Sequence, residues 1–157
     1  MKKRVTLERT YAAPIAMVWE LWTTKDGIES WWGPHGFRVE VHSIDLRVGG
    51  ELHYSMIAAA PEMIDFMKKN GMKPVTRHKI TFREIVPHER LAYLQLADFI
   101  PEVAPYDVDT VVEMHVQPDG AVKMTLTFDA MHDDVWTERA TQGWNMELDK
   151  LAKALAR

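Results

Sequence analysis

Five polar side chains fall at positions where a strand would turn them towards apolar neighbours, and they are the first candidates for chemistry. Side chains alternate between the two faces of a strand. In residues 78–84, Ile80 and Phe82 set the core face, and His78 and Glu84 share their parity. Tyr93 and Gln95 carry the parity of Leu91, and Tyr54 sits between Leu52 and Met56. Glu84 is the sharpest of the set. A carboxylate on an apolar face must be paired, wet or protonated. Burial raises its pKa, which suits a general acid or base. The plainer reading is a brace, in which Glu84 pairs with an arginine or caps backbone N–H groups near Pro87. His78 is the second candidate for proton transfer.

Other chemistries lack their motifs. The seven histidines are scattered, without H-x-x-x-H or H-E-x-x-H spacing, so no metal site is expected. Nucleophile-elbow, P-loop and dinucleotide glycine patterns are missing, and no cofactor is expected. Asp45 and Arg47 before Gly49-Gly50 read as a turn device.

The elements that would position these residues follow from periodicity. Residues 3–10 alternate and read as a strand. Pro14 suits a helix start, and Val18, Trp19 and Trp22 repeat at helical spacing over 14–23. A second short helix over 25–32 ends in Trp31-Trp32 before Gly33-Pro34, a stop signal. Indole brings width and one N–H, which suits the wall of a partly wet cavity. Strands are expected at 37–44, 50–57, 78–86, 90–97, 107–117 and 121–129. Asp133 is placed to cap a long helix to about Ala154, with Trp136, Ala140, Gly143, Trp144, Leu148, Leu151 and Leu155 on one face. Gly143 is expected to let that helix approach the sheet closely. Consecutive strands joined by short turns give an antiparallel sheet. With one long apolar-faced helix left over, the sheet must curl around it.

Composition narrows the classes. The chain has 157 residues, enough for one domain over 1–157 with a sizeable core. It has no cysteine, which excludes disulfides, thiolate metal sites and cysteine nucleophiles. The net charge of −4 has both signs interspersed, with no basic stripe for nucleic acid. The N-terminus is too charged for a signal segment, and no apolar run could span a membrane, so a cytoplasmic protein is expected. Ten methionines point to an adaptable interior.

The run Ala13-Pro14-x-x-x-Val18-Trp19, then Trp31-Trp32-Gly33-Pro34, resembles the start of an SRPBCC (START-like) domain. Asp45-Leu46-Arg47-Val48-Gly49-Gly50, the segment Phe82–Leu91, and Gly143-Trp144 with Leu148 and Leu151 follow in family order. Within that group the chain is similar to the Aha-type family, named after an activator of the Hsp ATPase chaperone. The resemblance implies an α+β helix-grip fold, a curved antiparallel sheet wrapped around a long C-terminal helix. The group includes ligand carriers, cyclases and chaperone activators. Residues 58–77 depart from the expected pattern, because a short hairpin is common there. Pro61 opens an inserted helix over 61–70, and its Met63, Phe66 and Met67 are expected to cover a cavity mouth or a second copy in a homodimer.

The leading expectation is a small apolar or amphipathic ligand held between sheet and terminal helix. Its wall would be Trp31, Trp32, Tyr54, Met56, Phe82, Glu84, Tyr93, Gln95 and Trp144. One alternative is an enzyme of cyclase, dehydratase or hydrolase type using Glu84 or His78 in the same cavity. The other is a chaperone-interaction module.

Overall fold

The computed structural model describes residues 3–156; residues 1, 2 and 157, which the single-domain expectation also spans, lie outside it. The chain runs β1 (Arg4–Tyr11), α1 (Ile15–Thr23), α2 (Lys25–Trp31), β2 (Phe37–Ile44), β3 (Glu51–Ala58), α3 (Pro61–Lys69), β4 (Val75–Val86), β5 (Arg90–Ala97), β6 (Tyr106–Val116), β7 (Val122–Asp129) and α4 (Asp134–Leu155). The seven strands form one curved antiparallel sheet in the order β1-β7-β6-β5-β4-β3-β2. Neighbours in sequence are neighbours in the sheet from β2 to β7, even across the helix inserted between β3 and β4. β1 closes the order against β7, with Val5 opposite Phe128 and Leu7 opposite Leu126.

Alternation builds the core. In β7, Val122, Met124, Leu126 and Phe128 are buried while Lys123, Thr125 and Thr127 between them are half-buried. Each such buried side chain contributes roughly 1.5–3 kcal/mol of transfer free energy. Helices α1 and α2 close one end. Trp22 sits edge-on to Trp31 at 4.6 Å between ring centroids, and its indole N–H donates to Met124 Sδ at 3.2 Å. The Thr24 hydroxyl caps α2 by accepting the Gly27 N–H at 3.0 Å. A Cβ at Gly27 would run into the Glu20 carbonyl, so α1 and α2 meet there.

Helix α4 starts where Asp133 accepts the Trp136 N–H at 2.8 Å. Its C-terminal half is packed, with Leu148 and Leu151 buried. Its N-terminal half stands off the sheet, and Trp136, Ala140, Gly143 and Trp144 are only half-buried. The expected close approach at Gly143 does not occur, because a Cβ there would meet nothing within 4 Å. The gap left under this half of the helix is the cavity described below.

Strand parity holds through most of the sheet and breaks at two bulges, one between Val41 and Ser43 in β2, after which Ile44 rather than Ser43 takes the core side, and one in β4. Phe82 pairs with Tyr93, but Glu84, two residues on, pairs with Ala92. Arg83 is the extra residue of a β-bulge, which shifts alternation by one. Ile85, opposite Leu91, therefore takes the core side and Glu84 turns out. The inward parity expected for Glu84 fails for this reason.

Candidate ligand cavity

A cavity of about 630 Å³ lies between the sheet and the N-terminal half of α4. One wall is a continuous line of rings. Trp32 meets Tyr54 edge-on at 5.3 Å between centroids. Tyr54 stacks on His78 at 5.1 Å and 17°. His78 meets Phe99 at 5.3 Å, and Phe99 meets Trp136 at 6.4 Å. Tyr54 and His78 are direct cross-strand partners of β3 and β4, so sheet register creates the stack. Met56, Met67, Met72 and Met131 add a soft apolar lining.

Of the residues expected from sequence, Trp32, Tyr54, Met56, His78, Gln95 and Trp144 line this cavity. Trp31, Phe82 and Tyr93 are buried but lie outside the lining, in the packed layer. The Trp31 indole N–H is taken up locally by the Leu21 carbonyl at 2.7 Å. Glu84 lies on the outer surface. Its carboxylate, 43% exposed, accepts from Arg90 Nε at 3.0 Å, and Arg90 also holds Glu113 at 3.0 Å. That is the brace, on the far side of the bulge from the cavity.

The inserted segment reaches the cavity with only part of its apolar face. Met67 is buried and lines the cavity with Gly71 and Met72. Met63 packs by Gly36, within 3.4 Å of the site of a Cβ there. Phe66 points away and is 55% exposed.

The polar groups of the cavity are few and specifically held. Gln95 Nε2 donates to the Tyr54 hydroxyl at 2.6 Å. His78 Nε2 shares a 2.7 Å hydrogen bond with Thr76 Oγ1. Burial pushes the His78 pKa down to about 4 against the opposing pull of Asp98, so the ring is neutral at neutral pH. His78 Nδ1 and Trp32 Nε1 are buried and have no hydrogen-bond partner among the described residues.

Sequence reasoning missed the strongest polar feature, Glu147. It lines the cavity and is partly accessible, that surface belonging to the cavity wall. Glu147 Oε1 accepts the Gly33 N–H at 2.6 Å, and no hydrogen bond among the described residues reaches Oε2. Burial pushes its carboxyl up to about 7, while the Gly33 N–H and the Lys150 charge pull it down. Lys150, one turn on, donates from Nζ to the carbonyls of Gly33 at 2.8 Å and Trp32 at 3.3 Å. The signal was available: Glu147 is three residues after Trp144 and four before Leu151, inside the apolar stripe of α4. A charge in that stripe marks a polar site in the core.

A curved antiparallel sheet gripping a long C-terminal helix over an aromatic cavity defines an α+β helix-grip protein of the SRPBCC class. Residues 12–156 match the family described as Activator of Hsp90 ATPase homolog 1-like protein, and the chain belongs to that family. Three solved structures are similar to it. Protein CV1439 from Chromobacterium violaceum aligns at TM-score 0.77 and 23% identity over 99% of each chain. Protein NE0264 from Nitrosomonas europaea aligns at TM-score 0.74 and 22% identity over 98% of this chain and 94% of that one. The AHSA1 protein SPO3351 from Silicibacter pomeroyi aligns at TM-score 0.71 and 20% identity over 98% of each. At these identities the likeness carries the fold. No curated protein matches the chain in sequence.

Proposed function

We propose that this protein binds a small apolar or amphipathic molecule in the cavity between the sheet and α4. The observation that carries the reading is the cavity of about 630 Å³, walled by rings and methionines and furnished with a few buried polar groups. Ligand sites have this character: roughly 300–1,000 Å³, mostly apolar, with a small number of placed polar groups. The unpartnered polar atoms of Trp32 and His78, both in wall residues, fit a site that is completed by something else. The whole chain acts as one domain in this reading, cytoplasmic, with residues 58–77 as its inserted cover. Met67 and Met72 in the lining favour a lid over a dimer contact for that segment.

The test is native mass spectrometry of the protein as isolated, followed by calorimetric titration with 1-decanol. A co-purified small molecule, or saturable binding at one site, supports the proposal. An apoprotein that takes up no apolar molecule contradicts it. Proton-transfer chemistry at Glu84 has no support from its outward position on the brace.

A further inference from the structure

The inner end of the cavity carries one carboxylate, Glu147. Lys73, Asp98 and Arg139 line the cavity too, but all three are exposed residues at its rim. Arg139 is further occupied with the Trp136 ring, 4.9 Å from its centroid. His78 is held neutral. Glu147 is therefore the group that can bring charge to the interior. Its Oε1 is used by Gly33, and its Oε2 receives no donor among the described residues. Lys150 does not neutralise it by direct contact. The Lys150 Nζ is spent on backbone carbonyls of the 32–37 segment, and Lys150 is not part of the cavity wall.

Three aromatic side chains line the cavity together with this carboxylate. Trp144 precedes it by one helical turn. Trp32 is joined to the residue whose N–H it accepts. The Tyr54 hydroxyl is close enough for the Glu147 charge to raise its pKa. Aromatic faces attract cations through their quadrupole, more strongly when water is excluded, and cages of such rings recognise ammonium groups. A buried carboxylate with an unused oxygen adds the counter-charge. An anionic head group placed there would meet like charge in a low-dielectric site.

We propose that the inner end of the cavity is a cation subsite, in which the Glu147 carboxylate and the rings of Trp32, Tyr54 and Trp144 receive the ammonium group of an amphipathic amine. The inference rests on the ligand-binding reading above and names the class of ligand. The apolar tail of the amine lies along Met56, Phe99 and the methionines of the insertion. Because the subsite needs ionised Glu147, binding of a permanent cation strengthens as pH rises past the Glu147 carboxyl at about 7. The groups that face Glu147 are Lys150 on its own helix, the Tyr54 and Tyr93 hydroxyls and His78 on the sheet, and Lys73, Asp98 and Arg139 at the rim. Burial raises both tyrosines and lowers His78, so none of these three changes charge between pH 6 and 8.

Calorimetric titration of the full chain with decyltrimethylammonium, 1-decanol and decanoate below their micelle concentrations tests this. At about pH 8 the ammonium is expected to bind about tenfold more tightly than the alcohol, in line with a cation–π and carboxylate contribution. Decanoate is expected to bind most weakly. The ammonium preference is expected to shrink on going to about pH 6, and to shrink and lose its pH dependence in Glu147→Gln, where the rings alone remain. Equal affinity for ammonium and alcohol, a preference for decanoate, or an ammonium preference indifferent to pH overturns the cation subsite while leaving the apolar cavity standing. Binding of none of the three overturns both. Should Glu147→Gln not fold, the wild-type pH series decides alone.

Discussion

The Glu147 carboxylate accepts the Gly33 backbone N–H at 2.6 Å, joining the last helix to the turn that follows the tryptophan pair. Gly33 has φ +94°, a backbone region that a residue with a Cβ adopts only with strain, so its N–H is presented to Glu147 by a turn only glycine makes freely. Lys150 completes the clamp from the same face of α4 by donating to Gly33 O at 2.8 Å.

The clamp should be measurable by removing its cation. Lys150→Met keeps the aliphatic stem but strips donors from three carbonyls. A loss of about 1–3 kcal/mol is expected in urea denaturation, since part-buried acceptors lose their partner. The same change should raise the Glu147 pKa further, because Lys150 is one of the groups holding it down. Isotope-edited NMR of the glutamate carboxyl reads that shift, and an unmoved titration would contradict the coupling.

Glu147 and His78 should impose opposite pH dependences on stability. The Glu147 carboxyl is raised from 4.5 to about 7. The folded state therefore holds an extra proton between these values, and stability falls as pH rises through that window. His78 is lowered from 6.5 to about 4, so the unfolded state holds the extra proton and stability rises with pH between about 4 and 6.5. Each contribution amounts to at most about 3 kcal/mol. In the wild type they largely cancel between 4.5 and 6.5. Glu147→Gln should expose a stability that rises with pH, and His78→Phe one that falls with pH up to about 7. Parallel pH profiles of the two variants would contradict both assignments.

Gly143 offers a test of the empty space. A Cβ there meets nothing within 4 Å, and helix interiors favour alanine over glycine. Gly143→Ala is therefore expected to stabilise by about 0.5–1 kcal/mol. Gly143→Leu should fold as well as the wild type but bind 1-decanol more weakly, since its side chain enters the cavity. A melting temperature that falls in both variants would mean that the helix already touches the sheet.

Glu84 should prove dispensable for the cavity. Its ion pair with Arg90 is exposed, and such pairs contribute about 0–1 kcal/mol. Glu84→Gln is expected to leave 1-decanol affinity unchanged by calorimetry. A marked loss of affinity would place the carboxylate in a site that its orientation excludes.

Most of the fold was legible because period-2 and period-3.6 patterns are local. The strands Phe37–Ile44 and Arg90–Ala97 fall where alternation puts them, and Asp133 caps α4 as its position suggests. Parity also found Tyr54, Met56, His78 and Gln95 for the cavity wall. It failed at Glu84 because a bulge is one residue of register, which Arg83 does not advertise in its type. It could not separate wall from packing. Trp31, Phe82 and Tyr93 have the right face but lie behind the lining, and depth along a face depends on how far α4 stands from the sheet. Glu147 did not stand out because apolar residues define the α4 stripe, and a carboxylate between Trp144 and Leu151 adds nothing to that pattern. Gly143 was misread for a related reason: a glycine in a helix face marks either close approach or empty space, and only the packing of Gly27 against Glu20 turned out to be the former.

Occupation of the cavity under α4 by a small apolar molecule can be read from methionine methyl NMR. Met56, Met67, Met72 and Met131 line the cavity, whereas Met114 and Met124 are buried in the sheet core and Met17 is exposed on α1. Titration of methyl-labelled protein with 1-decanol should give saturable shifts at the four lining methyls. Met17, Met114 and Met124 should stay close to their starting positions. Shifts spread evenly over all methionines, or none that saturate, would contradict a ligand in this cavity.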